Sequence, residues 1–411
     1  MKKWLGPLFF YLVPLLAVVI TVAMVFYPEI AFEGAVEGLR LWWDIVFPAL
    51  LPFFIGSELL MGLGVVHFMG RLLEPLMAPV FRVPGVGSFV LAMGLASGYP
   101  IGAVLTGKLR REDLINKVEA ERLVSFTNTA DPLFMSGAVA VGMFKNAALA
   151  PVIMAAHYLA SISTGLLLRC YRPRAPRTPT VPGRGSLLRR ALEALREARA
   201  KDGRPFGQLL GDSVKSSVNT LLLVGGFIIL FSVLVNIIKA AGILATLSTG
   251  AGTLLAAFGL DPNGAPALVA GLFEITNGTQ LASIAPIPLS QQLMLAGTII
   301  AWSGLSVHAQ VAAVTHGTDI SIGPYVMARL VHAGLAAFFT YLILGPAATL
   351  ASLVVPTLAG SAPTAEPYWL GSFMWSTLSL FRATAGLSFL ALVSLLLAGK
   401  GPRSVIFRHR R

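Results

Sequence analysis

Two short stretches set helix-breaking and polar residues inside otherwise apolar sequence: Ser97-Gly98-Tyr99-Pro100-Ile101-Gly102 and Glu274-Ile275-Thr276-Asn277-Gly278-Thr279-Gln280. In hydrocarbon, irregular backbone is tolerated only where it lines a cavity or is buried in protein. The chemistry on offer is non-covalent recognition. Gly98, Pro100 and Gly102 permit a turn, while Ser97 and Tyr99 bring hydroxyls. Thr276, Asn277, Thr279 and Gln280 form a neutral hydrogen-bonding lining, and Gly278 allows close backbone approach. A hairpin tip also frees N–H groups at one half-helix, which attract anions, and carbonyls at the other, which attract cations.

A third break, Thr127-Asn128-Thr129-Ala130-Asp131-Pro132, adds two hydroxyls and an amide, and its counterpart at 298–306 contributes Ser303 beside Trp302, Gly304 and Ser306. Ionisable groups within spans are costly, so Asp131 and Glu274 are the candidates for holding a coupling proton or sodium ion. Glu58, His157 and His308 fit hydrogen bonding inside the bundle as well as they fit substrate contact. Arg329 and His332 fall near a helix end, where snorkelling accounts for Arg329. Arg329, Arg382 or Lys239 would supply the compensating charge for a dianion. There is no Ser/His/Asp or Cys/His set with supporting context, and His308 and His316 make a poor metal frame. No catalytic residue, metal or cofactor is therefore expected, and the protein is not read as an enzyme.

The elements that must position these residues are membrane helices. The chain has 411 residues, 55% hydrophobic and 12% charged, and its mean hydropathy is +0.77. A soluble chain of this length needs more charge to cover its surface, and several runs reach the roughly 20 apolar residues that cross a bilayer. The net charge of +12 sits in loops and follows membrane topology rather than nucleic-acid binding. The single cysteine, Cys170, allows no intrachain disulfide. The first apolar run is too long for a typical signal peptide and is read as a retained span.

The order of features repeats. Pro84 and Pro262 lie 178 positions apart, as do Gly64 and Gly242, and this offset brings the two opening stretches into register within a residue. An internal duplication follows. The linker 170–215 carries eleven Lys or Arg against four acids, and if every apolar run crossed the membrane it would lie outside, against the positive-inside rule. Treating 86–107 and 265–285 as re-entrant hairpins removes one crossing per half. All Lys and Arg except Arg40, Lys145, Lys239 and Arg382 then fall at cytoplasmic positions or helix ends.

The expected fold is an all-α polytopic membrane protein of two inverted repeats, with about eight transmembrane helices and two re-entrant hairpins entering from opposite faces. The crossings are 7–27, 41–63, 123–144, 147–169, 218–239, 293–314, 323–350 and a last helix ending near 397. The divisions are a first helix and outer loop (1–39), a first gate-like repeat (40–170), a basic cytoplasmic linker (171–215), a second repeat (216–350), and an outer loop, last helix and basic tail (351–411). Both termini are expected in the cytoplasm. Within the linker, 186–200 has helical composition with opposite charges such as Arg189 and Glu193 at helical spacing, and the linker is read as a solvated cytoplasmic connector, with a partner-binding or lipid-headgroup role as the alternative.

The stretches Phe53-Phe54-Ile55-Gly56-Ser57-Glu58-Leu59-Leu60, Val83-Pro84-Gly85-Val86-Gly87, Ala96 to Gly102, and Glu121-Arg122-Leu123-Val124-Ser125-Phe126-Thr127-Asn128-Thr129 resemble the YlbJ-type family of sporulation integral membrane proteins. The resemblance covers nearly the whole chain outside the linker. Its halves look like the nucleoside-recognition or gate domain that spore maturation proteins share with concentrative nucleoside transporters, which implies that architecture. It also implies a role in spore formation, moving dipicolinic acid from the mother cell across the outer forespore membrane. The partners so implied are a small anionic molecule and the lipid bilayer, with a homo-oligomer or spore-membrane partners left open. Dipicolinate is a planar aromatic dianion, which suits hairpin N-termini, hydroxyls and an aromatic such as Tyr99 or Trp302, whereas Asp131 beside it must be protonated or paired with a cation. The alternatives are a nucleoside or nucleobase carrier and a non-transporting spore assembly protein acting through the basic linker.

Overall fold

The computed structural model describes residues 2–179 and 186–345, and every regular element among them is helical. In lipid each backbone N–H and C=O must be satisfied within the chain, and a helix does this locally. α1 (Lys2–Phe26) and α2 (Pro28–Arg40) meet at Tyr27, where the chain bends by 106°. A π-helical turn at Leu41–Val46 leads into α3 (Phe47–Gly62), followed by α4 (Val65–Phe81), α5 (Gly87–Ser97), α6 (Ile101–Arg111) and α7 (Lys117–Thr127). A π-helical segment, Phe134–Met143, and α8 (Ala150–Leu168) complete the first half, and α9 (Leu187–Asp202) lies in the linker. The second half holds α10 (Phe206–Ala240), α11 (Ile243–Ala257), α12 (Ala265–Phe273), α13 (Ile275–Ile284), α14 (Leu289–Trp302), α15 (Gly304–Val314) and α16 (Ile322–Leu344).

The same succession recurs in both halves: a helix, a second helix of 15 to 17 residues, two half-helices, a broken pair and a closing helix. Gly64 (φ 84°) and Gly242 (φ 73°), the matched glycines, both turn the chain through the left-handed region just before the second helix, which glycine enters without strain.

Among the described residues four helices, 147–168, 206–240, 289–314 and 322–344, are by themselves long and apolar enough to cross a membrane, and counting each bent pair as one span makes six. The expected crossing 41–63 bends by 81° into α4. The expected crossing 123–144 is broken between α7, which begins six residues earlier at Lys117 and is 11 residues or about 16 Å long, and the 10-residue π-helical segment, so neither piece alone spans a hydrocarbon core of about 30 Å. The last helix, Arg382 and the basic tail lie outside the described residues.

Residues 28–39, expected as part of an outer loop, are helical instead. Gly34 and Gly38 let α2 lie against α10, where a Cβ on Gly38 would come within 2.8 Å of the Ile229 backbone. Glu37 accepts a hydrogen bond from Asn236 Nδ2 at 3.0 Å. The linker is also more structured than a solvated connector. Glu119 accepts from the Thr178 backbone at 2.9 Å, Glu121 accepts from the Tyr171 hydroxyl at 2.9 Å, and Arg122 donates to the Tyr171 carbonyl at 2.6 Å. The expected Arg189–Glu193 pair forms at 2.9 Å, and α9 packs on α4 with Ala191 fully buried.

Candidate functional site

The first hairpin, α5 and α6, breaks only at Gly98-Tyr99-Pro100, with Gly98 at φ 76° and a cis Tyr99–Pro100 bond. Its two arms close on the end of α7. Gly94 and Gly102 both press on the Thr127 carbonyl, with no room for a Cβ at either, and Thr129 Oγ1 donates to Gly94 O at 3.1 Å. At the tip, a Cβ on Gly98 would lie 2.5 Å from Asp131 Oδ2. Asp131 is the N-terminal cap of the segment that follows the break, its Oδ1 accepting the Phe134 N–H at 2.8 Å.

The second hairpin, α12 and α13, breaks at one residue, Glu274. Thr276 to Gln280, expected as an irregular tip, form the first turns of α13 instead. Two local causes favour helix there: Glu274 Oε2 accepts the Asn277 N–H at 2.8 Å as the cap, and Gly278 packs directly on Gly271 of α12. The break between α14 and α15 falls at Ser303 (φ 71°) and Gly304 (φ 73°), and Gly304 rests on the backbone of Phe273 and Glu274. Each hairpin tip thus touches the broken helix of its own half, and each contact carries one carboxylate.

A cavity of about 700 Å³ opens where these breaks meet. Tyr99, Asp131, Glu274 and Thr276 line it, joined by Ser306 and Gln310 of α15. Its remaining wall is largely apolar, with Phe134 and Gly137 on one side and Leu50, Val224 and Ile228 on another. Both π-helical segments border it, the first through Leu41, Asp44 and Val46. Among the described residues lining it there is no Lys, Arg or His.

Ser97, Gly98, Pro100, Gly102, Thr127, Asn128, Thr129, Asn277, Gly278, Thr279, Gln280 and Ser303 are not among the lining residues. Thr127 and Thr279 return their hydroxyls to the carbonyls four residues earlier, Leu123 at 2.7 Å and Ile275 at 2.6 Å. Asn128 Nδ2 donates to the Tyr325 hydroxyl at 3.0 Å, Ser97 is buried, and Gln280 is exposed. The Tyr99 hydroxyl is itself engaged, donating to Ile300 O at 2.9 Å. Gln310 and Asp44 were missed by the sequence reading. Gln310 Nε2 reaches Ser306 Oγ at 3.4 Å, an i,i+4 polar pair on one helix face that spacing alone could have flagged. Asp44 sits in a π turn, which carries no sequence signal.

Arg329 does not snorkel. It is fully buried and donates to Ser125 O at 2.8 Å, Asn128 O at 2.9 Å and Ala301 O at 3.2 Å, with Tyr99 Oη at 3.3 Å. These carbonyls belong to the C-terminal ends of α7 and α14, where the helix dipoles favour a cation and the last carbonyls lack intrahelical donors. The histidines are likewise internal. His157 Nε2 accepts the Ala130 N–H at 3.2 Å, His332 Nε2 meets His157 O at 3.0 Å, and His308 Nδ1 meets Gly304 O at 2.7 Å. Glu58 pairs with Lys108 at 2.6 Å, away from the cavity. Among the described residues, no three His, Cys, Asp or Glu stand close enough to share a metal ion.

Residues 44–171 match the family model Gate, described as nucleoside recognition. The solved structure of a doubly substituted CNTnw, a concentrative nucleoside transporter, in an outward-facing state covers 78% of this chain and 86% of its own, at 14% identity and a TM-score of 0.37. The sporulation integral membrane protein YlbJ of Bacillus subtilis (strain 168) is 48% identical over 334 residues, 80% of this chain and 81% of that one. With that identity over four-fifths of both chains, the protein belongs to the YlbJ family of sporulation integral membrane proteins.

Proposed function

We propose that the protein is a secondary transporter that moves a small aromatic dicarboxylate, dipicolinic acid, from the mother cell across the outer forespore membrane. The observation that carries the transporter reading is the cavity of about 700 Å³ at the meeting of two hairpin tips and two helix breaks, within the range of small-molecule sites. The repeated order of elements supports two inverted repeats, 40–170 and 216–350, with hairpins entering from opposite faces and both termini in the cytoplasm. The expected binding residues that reach the cavity, Tyr99 and Thr276, then contact substrate with Ser306 and Gln310.

Charge sets a condition on this reading. One ionised carboxylate 4 Å from one substrate carboxylate costs about 4 kcal/mol at an effective dielectric constant of 20, or about a thousandfold in affinity. A dianion therefore enters only when the carboxylates in the wall, Asp44, Asp131 and Glu274, hold protons or cations, and Asp131 and Glu274, at the two hairpin contacts, are the ones this reading assigns to coupling. The polar groups of Tyr99, Thr276, Ser306 and Gln310, and the absence of basic side chains among the described lining residues, favour a second reading, a nucleoside or nucleobase carrier. Uptake of labelled dipicolinate into vesicles containing the protein, with nucleosides as competitors, separates the two. Flux that nucleosides do not inhibit is expected, and no dipicolinate flux overturns the first reading.

A further inference from the structure

The linker helix α9 has four distinct faces. Leu187, Ala191, Leu195 and Ala198 recur at helical spacing, and this side is packed: Ala191 is fully buried, and Gly64 comes against Leu195 O and Ala198 Cβ. Next around the helix stand Leu188 and Leu192, 56% and 45% exposed. Arg189 and Arg196 follow, and Glu193 and Glu197 occupy the side beyond them. Packing on α4 therefore leaves an apolar edge uncovered over the first turns, ended by Arg199, which is held by Asp202 at 3.2 Å and the Arg204 carbonyl at 2.6 Å, and Arg189 and Arg196 border that edge before the acidic face begins.

What covers the edge is indicated by the next helix. α10 is a membrane span that starts at Phe206, with three residues between it and the end of α9, and its exposed stripe of Phe206, Leu210 and Val214 continues to Leu222. The lipid-facing surface of α10 thus begins beside the end of α9. Arg196 has no partner among the described residues.

We propose that α9 lies in the plane of the membrane interface, with Leu188 and Leu192 inserted at the headgroup boundary and Arg189 and Arg196 binding anionic lipid headgroups. An amphipathic helix with basic residues flanking its apolar strip takes this position, and its cations reach up to the phosphates while their stems stay in the apolar layer. The occupant is the bilayer itself, and the proposal depends on membrane insertion alone, whatever the substrate.

The test uses the full-length chain with Cys170→Ser and a single spin label at Leu188→Cys, Leu192→Cys or Glu197→Cys, one copy per nanodisc, in phosphatidylcholine with and without phosphatidylglycerol. Labels at 188 and 192 are expected to collide several-fold more with dissolved oxygen than with an aqueous nickel chelate, and the label at 197 the reverse. Phosphatidylglycerol should deepen the first two, Arg196→Gln should reduce that effect, and Arg189→Gln with Arg196→Gln should remove it. Aqueous exposure at all three positions overturns the proposal. So does protection that appears only with several copies per disc, which would assign the edge to a second copy of the chain. Equal depth in both lipids overturns the headgroup contact.

Discussion

At the scale of single residues, the site is built from charges placed at helix ends. Asp131 and Glu274 cap the N-termini of two half-helices, and Arg329 gathers the carbonyls at the C-termini of two others. Each charge is thus held by a helix end of favourable polarity. Replacing Arg329 by Met strands those carbonyls in the interior, at about 1–3 kcal/mol for each buried acceptor left unpaired; removing the buried charge recovers part of that. Lys restores the charge but not the planar fork of donors. The thermal midpoint in detergent is therefore expected to fall in the order wild type, Arg329→Lys, Arg329→Met, and equal midpoints would remove the clamp from the account. Asp131→Asn separates structure from coupling, because asparagine caps a helix as well as aspartate does but carries no charge. Its midpoint should stay within about 1 kcal/mol of wild type in stability, while uptake loses its dependence on a proton or sodium gradient. Uptake that still follows the gradient would relieve Asp131 of the coupling role.

Among the elements, the half-helices work because small residues let their backbones touch. Gly278 packs on Gly271 within the second hairpin, so Gly278→Ala forces the arms apart, at the roughly 1–3 kcal/mol typical of overpacking. A lower thermal midpoint checks this, and an unchanged one would mean that the arms separate freely. The glycines were legible as conformational breaks, but their partners were not, since which backbone crosses which is decided by tertiary packing. For the same reason Thr276 to Gln280 read as a polar tip when they are helix: a glutamate cap and a glycine contact override the modest helix preferences of Thr and Asn. Outside the spans, Arg110 joins α6 to the loop before α16 through Asp319 at 2.8 Å, and this guanidinium holds the Asp319 carboxyl below the usual range. A lowered folded value means that the contribution is complete above the unfolded pKa of about 3.9 and fades as pH falls through the folded value. The pair is exposed and worth at most about 1 kcal/mol. Asp319→Asn should therefore lower the midpoint slightly at pH 7 and low salt, with the difference shrinking in high salt and below the folded pKa. A difference that persists in acid would point to a role other than the ion pair.

Over the whole molecule, the legible part was the all-helical order: the prolines and glycines matched by the 178-residue offset stand at like places in the succession of helices. The cavity wall was not legible, because Asp44, Leu50, Val224 and Ile228 come from helices far apart in sequence and meet only on packing. If the two halves enclose one cavity and exchange its opening between faces, a residue in that cavity must be reachable from each side in turn. Gly98 and Gly278 cannot report this, since a Cβ on Gly98 runs into Asp131 and one on Gly278 into Gly271. Thr276 and Ala138 line the cavity from opposite halves and already carry a Cβ. With Cys170→Ser removing the native exposed thiol, Thr276→Cys and Ala138→Cys can be labelled by a membrane-impermeant maleimide from either side of sealed, oriented vesicles. A carrier that alternates between faces should show labelling from both sides at each position, slowed at both by dipicolinate. Labelling from one side only, with no protection by ligand, would leave a fixed pocket where a transport pathway is required.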